Sequence, residues 1–210
     1  MARLLHLKAT PRGDDSRTMK LAAAFTEAYL AAHPGDTLDT VDLFTADLPP
    51  FENNAATGRY ALLRGLPHTP EQAAAWQRVT AAIESFKSYD KYVITTPMWN
   101  FSIPWSLKLF LDTVIQPGYT FGYDPAKGFF GLMEGKPVQL LITRTGNYAP
   151  GSGAENLDFQ LPYLRFILGF IGLELKGVVI AQALDMVPPE ESARLLEAAI
   201  VEAKSAASAF

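Results

Sequence analysis

The sequence contains no cysteine. Disulfides, thiolate nucleophiles, zinc knuckles and iron–sulfur clusters are thereby excluded together, since each needs a thiolate. Histidine is scarce. His6, His33 and His68 fall in a predicted strand, at a predicted helix end and before a helix cap, a spacing that suits no metal site. Charge is modest too: charged residues are 19% of the 210-residue chain and the net charge is −4. There is no basic excess of the kind that draws nucleic acid or an anionic membrane surface. The longest apolar stretch, residues 166–175, is broken by Gly169, Gly172 and Glu174 and falls far short of a membrane span. Residues 1–8 are too short and wrongly flanked for a signal peptide, so the expected location is the cytoplasm.

What is present is a sizeable apolar content, 49% of residues, enough for one large core. A single domain over residues 1–210 is expected. Residues 3–8 read as a buried strand. A helix carrying Leu21, Phe25, Ala28, Tyr29 and Ala32 at helical spacing follows, stopped by Pro34-Gly35. Residues 37–43 alternate like an edge strand. Residues 52–67 show little periodicity and read as a long excursion, with a helical turn at residues 60–64. Thr69-Pro70-Glu71-Gln72 is a capping box that opens a helix bearing Trp76, Val79, Ile83 and Phe86. Further strands are predicted at residues 89–96, 138–143 and 175–181, with helices at residues 104–115, 158–170 and 188–208. Residues 119–136 form a second, aromatic-rich excursion. Five strands alternating with about five helices predict a doubly wound parallel sheet with helices on both faces. Ligands of such folds bind beyond the carboxyl ends of the strands.

Three loops leave the carboxyl ends of the predicted central strands. The first presents the Thr10, Ser16 and Thr18 hydroxyls beside the free N–H groups of a new helix, a seat for a phosphate. Ser16 as a simple N-cap is the alternative. Neither a P-loop nor three spaced glycines is present, so a mononucleotide phosphate fits better than a dinucleotide. The second, Pro97-Met98-Trp99-Asn100-Phe101-Ser102-Ile103-Pro104, combines stiff backbone, two large aromatics and an amide. It suits a flat heterocycle, with burial of the rings in the core as the alternative. The third, Thr143-Arg144-Thr145-Gly146-Asn147-Tyr148, offers backbone N–H groups and hydroxyls at the same edge. With no evident nucleophile and no metal cluster, reactivity is expected from a bound organic cofactor and no catalytic side chain is assigned.

At these loops the chain resembles the FMN-dependent NAD(P)H azoreductases, also described as quinone reductases, and the resemblance covers nearly its whole length. The residues that carry it are the run from Pro97 to Pro104, then Leu107-Lys108 and Asp112, Gly118-Tyr119-Thr120-Phe121 with Tyr123, Thr143-Arg144-Thr145-Gly146, and Leu164 with Leu168-Gly169-Phe170-Ile171-Gly172. The family implies a flavodoxin-like fold with strand order 2-1-3-4-5 and a homodimer with active sites at its interface. It also implies FMN as cofactor and NADH or NADPH as co-substrate, with ping-pong transfer of hydride to quinones or azo compounds. By position, Thr10, Ser16, Arg17 and Thr18 would hold the FMN phosphate. Pro97, Met98, Trp99, Asn100 and Phe101 would line the isoalloxazine, and Thr143, Arg144, Thr145 and Gly146 its pyrimidine edge. Phe121, Tyr123 and Phe129, on the aromatic excursion, are substrate-site candidates that would cover the other subunit's flavin. Two departures stand out: Trp99 where the family usually has Tyr, and Thr145-Gly146 where it usually has Gly-Gly. A non-enzymatic FMN electron carrier is the alternative function, although such carriers are typically shorter, more acidic and without two aromatic excursions.

Overall fold

A computed structural model describes residues 1–13 and 15–210; Asp14, part of the predicted first turn, lies outside the described residues. The elements run β1 (Arg3–Lys8), α1 (Arg17–Ala32), β2 (Thr37–Asp42), α2 (Asn53–Leu63), α3 (Pro70–Lys87), β3 (Lys91–Pro97), α4 (Trp105–Val114), β4 (Phe121–Asp124), β5 (Gly128–Gly131), β6 (Pro137–Thr143), α5 (Leu161–Phe170), β7 (Glu174–Ala181) and α6 (Pro189–Ser208). The main sheet is parallel, in the order β2-β1-β3-β6-β7. Counted without the β4–β5 hairpin, that is the order 2-1-3-4-5.

Alternation along the strands feeds two cores. Leu5, Leu7, Tyr92, Ile94, Leu140 and Ile142 face α3, α4 and α5. Their neighbours Leu4, Val93, Leu141 and Val179 face α1 and α6, where Leu21, Phe25 and Tyr29 meet Ala199, Ala203 and Ala207. Strands buried on both faces are what a parallel sheet requires, and they read as nearly continuous apolar runs. The alanine stripe of α6 lets it lie close along α1.

The structure differs from the sequence expectation in three places. Residues 52–67 hold a full helix, α2, where a single turn was predicted. Its buried face is made of Ala55, Gly58, Arg59 and Ala61, too small and mixed to register as an apolar stripe. Gly58 is needed there: a Cβ would lie 2.7 Å from the Gln72 carbonyl oxygen of α3. The aromatic excursion folds into the antiparallel β4–β5 hairpin, closed where the Asp124 carboxylate accepts the N–H groups of Ala126 and Lys127 (2.7 and 3.0 Å). Helix α5 begins at Leu161 rather than at Asp158. The Asp158 carboxylate accepts the N–H groups of Gln160 and Leu161, both at 3.0 Å, and so caps the helix. The Thr69–Gln72 capping box forms as predicted, at 2.9 and 3.3 Å.

His6 of β1 is buried between two threonines, with Nε2 2.9 Å from Thr95 Oγ1 and Nδ1 3.4 Å from Thr40 Oγ1. Burial, reinforced by the nearby Lys8 ammonium, lowers its pKa to about 4. The unfolded chain takes up this proton near pH 6.5 and the folded chain only near 4. Between those values the unfolded state binds more protons, and acid favours it. Stability should therefore fall by up to about 3 kcal/mol as pH drops through this window, since each tenfold rise in proton concentration there favours the unfolded chain by about 1.4 kcal/mol. Urea midpoints at pH 7 and pH 4.5 check this, and His6→Asn should flatten the dependence.

Candidate functional site

The carboxyl ends of β1, β3, β6 and β7 surround one cleft of about 150 Å³, lined by Thr10, Pro11, Arg12, Ser16, Arg17, Thr18, Pro97, Met98, Trp99, Thr143, Arg144, Thr145 and Leu184. All three loops singled out in the sequence thus meet there. Larger hollows of up to about 500 Å³ lie elsewhere on the surface, the largest of them between residues 144–150, 158–165 and 180–182.

The β1 side is built from the start of α1. Ser16 is the N-cap residue by backbone conformation (φ −67°, ψ 130°), yet its side chain makes no capping hydrogen bond. Its own N–H is held by the Gly13 carbonyl at 2.9 Å, and the residue is 97% buried. Ser16 is among the residues that line the cleft, and the first-turn amides of α1 keep no side-chain acceptor from it. Such amides carry the positive end of the helix dipole. The alternative reading of Ser16 as a simple cap fails on this geometry. Thr18 lines the cleft as well, and its Oγ1 lies 2.6 Å from Thr143 Oγ1, a buried link between α1 and the end of β6.

Arg17 lines the cleft with its charge already matched. Its guanidinium donates to the Leu184 carbonyl (3.0 Å) and to both Asp185 oxygens (2.8 Å each), and that contact holds the Asp185 carboxyl below the usual range. Arg12 is exposed at the same rim. The guanidinium of Arg144 is committed to the interior. Nε donates to Gln160 Oε1 at 3.1 Å, and Nη2 sits 2.8 Å from Asp158 Oδ2 in an ion pair held by charge rather than by an aligned hydrogen bond. Gln160 in turn donates to the Pro97 carbonyl at 2.8 Å. This network ties the end of β6, the start of α5 and the end of β3 into one frame.

The β3 side is a tight turn. Trp99 N–H donates to the Ser102 carbonyl and Ser102 N–H to that of Trp99, both at 2.9 Å. Asn100 and Phe101 between them lie at φ 46° and 67°. Asparagine tolerates the left-handed region; phenylalanine there costs roughly 1–3 kcal/mol, a strain found mainly at working sites. Trp99 stands at the cleft wall, whereas Asn100 and Phe101 occupy the turn beside it, Phe101 packed edge-on to Tyr148 at 6.3 Å. On the β6 side, Thr145 and Gly146 both keep negative φ, so this turn accepts threonine at 145 without strain. The Gly146 and Thr145 carbonyls accept from the N–H groups of Ala183 and Asp185, at 2.8 and 3.2 Å.

Phe121, Tyr123 and Phe129 are not brought into this cleft. They stand on the hairpin, packed on one another and on Phe170 of α5 at centroid distances of 4.7–6.1 Å, with Tyr123 and Phe129 largely exposed. Pro11 and Leu184 are cleft residues that sequence reasoning missed. Leu184 was findable in principle, because it follows the carboxyl end of β7.

The profile of the flavodoxin-like fold family matches residues 2–206. The FMN-dependent NADH:quinone oxidoreductase of Nitratidesulfovibrio vulgaris is 48% identical over 94% of this chain and 95% of its own. The azoreductase of Bacillus anthracis strain Sterne has a TM-score of 0.91 at 30% identity, covering the whole of both chains. The FMN-dependent NADH-azoreductase of the Ames Ancestor strain, solved in complex with FMN, has a TM-score of 0.89 at 26% identity, over 99% of this chain and 98% of its own. The chain belongs to the flavodoxin-like family, on the branch whose relatives are named FMN-dependent NADH:quinone oxidoreductases and azoreductases.

Proposed function

We propose that the protein is an FMN-dependent NAD(P)H:quinone oxidoreductase that also reduces azo compounds, with NADH, the donor in its relatives' names, as the expected reductant. The observation that carries this reading is Ser16, a buried residue whose side chain is unused as a cap, at the head of α1 in a cleft also lined by Trp99. A phosphate suits the first position and a planar ring system the second. The cleft is about 150 Å³, below the roughly 300 Å³ at which drug-sized ligand pockets begin. It would suit the phosphate and its chain, and Trp99 and Thr145 of the lining would be left to border the ring system.

FMN, when bound, would supply the hydride-transfer chemistry between nicotinamide and acceptor, and the expected order is ping-pong. The chain's own part is to position and to polarise. Ser16 and the α1 amides would hold the phosphate, with Arg12 adding positive charge at the rim. The Trp99 turn would support the rings, and N–H groups of the Thr145–Gly146 turn would be the donors available to charge that builds on the ring edge during reduction. The exposed rings of Tyr123, Phe129 and Phe166 favour a homodimer that buries them, bringing Phe121, Tyr123 and Phe129 to the partner's cleft. Reconstitution tests the reading. Protein loaded with FMN should oxidise NADH in the presence of benzoquinone, lose that turnover when stripped and regain it on FMN addition. FMN-loaded protein without turnover would point instead to an electron carrier.

A further inference from the structure

Three aromatic rings lead from the cleft wall to the surface. Trp99 stands in the cleft; Phe44, just beyond β2, packs edge-on to it at 5.6 Å; and Trp105 packs edge-on to Phe44 at 5.5 Å. Each ring has a rigid mount. Trp99 is in the turn closed by its two hydrogen bonds to Ser102. Phe44 sits within a turn in which Asp42 Oδ1 accepts the Phe44 N–H at 3.0 Å and the Asp42 carbonyl accepts that of Ala46 at 2.8 Å. Trp105 is the first residue of α4, directly after Pro104.

The fold gains little from Trp105. The residue is 61% exposed, while its neighbours Ser106 and Leu107 are fully buried. An exposed tryptophan, backed on one side by another ring and held in place before any ligand arrives, is a surface for stacking, because little ordering entropy opposes binding there. The acceptor chemistry supplies the occupant. An azo group joins two aryl units, and when the reacting bond sits at the cleft one aryl unit must lie outside it. We propose that Phe44 and Trp105 form a subsite for the distal ring of flat two-ring acceptors, continuous with the cofactor cleft through Trp99. The subsite rests on the function proposed above and deepens it into a preference for two-ring over one-ring acceptors.

The test separates the two ideas. Oxidised, FMN-loaded protein is titrated with an azobenzene dye in the absence of NADH, so that binding is read from dye absorbance without turnover. Trp105→Ala should weaken dye binding about three- to tenfold, the range expected for one aromatic pair, and Trp105→Phe should recover most of it. The ratio of kcat/KM for the dye to that for benzoquinone should fall by the same factor in Trp105→Ala. Equal dye affinity in wild type and Trp105→Ala, or equal losses for both acceptors, would overturn the subsite while leaving the flavin reading intact. A wild-type protein that cannot hold FMN would remove both.

Discussion

Arg144→Ala should destabilise the fold by about 3–5 kcal/mol, the cost of breaking a buried ion pair from one side. Arg144 is 3% exposed; its guanidinium meets the Asp158 carboxylate at 2.8 Å and Gln160 at 3.1 Å. Burial disfavours the charged guanidinium, and Asp158 opposes that effect. Removing the cation leaves Asp158 almost enclosed and without its partner, and deprives the Gln160 oxygen of a donor. The damage reaches the site, because Gln160 also holds the Pro97 carbonyl at 2.8 Å, from which the Trp99 turn departs. Arg144→Lys should recover only part of the loss, since an ammonium cannot serve both partners with the planar fork of a guanidinium. Denaturant midpoints of the three proteins measure this; an Arg144→Ala variant within about 0.5 kcal/mol of wild type, inside the ordinary run of surface substitutions, would show that the network is ornamental.

Ser16→Ala should act on the ligand and spare the fold. With no capping hydrogen bond to lose, the helix should keep its stability to within roughly 0.5 kcal/mol. A hydroxyl donating to a charged phosphate contributes about 1.5–3 kcal/mol, so FMN should dissociate roughly 10- to 100-fold more readily. Thr18→Ala should show the opposite balance. Its hydroxyl is engaged with Thr143 at 2.6 Å, and its removal leaves a buried hydroxyl alone at about 1–3 kcal/mol of stability. Fluorescence titration with FMN beside thermal melts reads both quantities. Equal FMN affinity in Ser16→Ala and wild type would mean that the phosphate sits elsewhere.

The parallel sheet was legible because its strands are buried on both faces and so appear as short, dense apolar runs such as residues 138–143. The cleft was legible for a related reason: the loops that carry function leave the carboxyl ends of those strands, and Thr10, Trp99 and Thr143 each sit one to three residues beyond a strand or at its last position. Helix α2 was hidden, since a helix that packs through Ala55, Gly58 and Ala61 writes no apolar period into the sequence. The hairpin was hidden by length, its strands being four residues each, too short for alternation to declare itself. Side-chain partners were beyond reach altogether. Whether Ser16 caps its helix, whether Arg17 faces Asp185 and whether Arg144 points inward depend on residues up to 168 positions apart, and no local pattern encodes them. Phe44 was missed on the same ground, because only the fold brings it to Trp99.

The decisive measurement is a crystal structure with FMN bound. The phosphate should lie within hydrogen-bonding distance of the Ser16 hydroxyl and the first amides of α1, with the ring system running past Trp99 toward the Thr145–Gly146 turn. Density for FMN at any other hollow, with Ser16 turned back to cap its helix, would contradict this placement and the activity built on it.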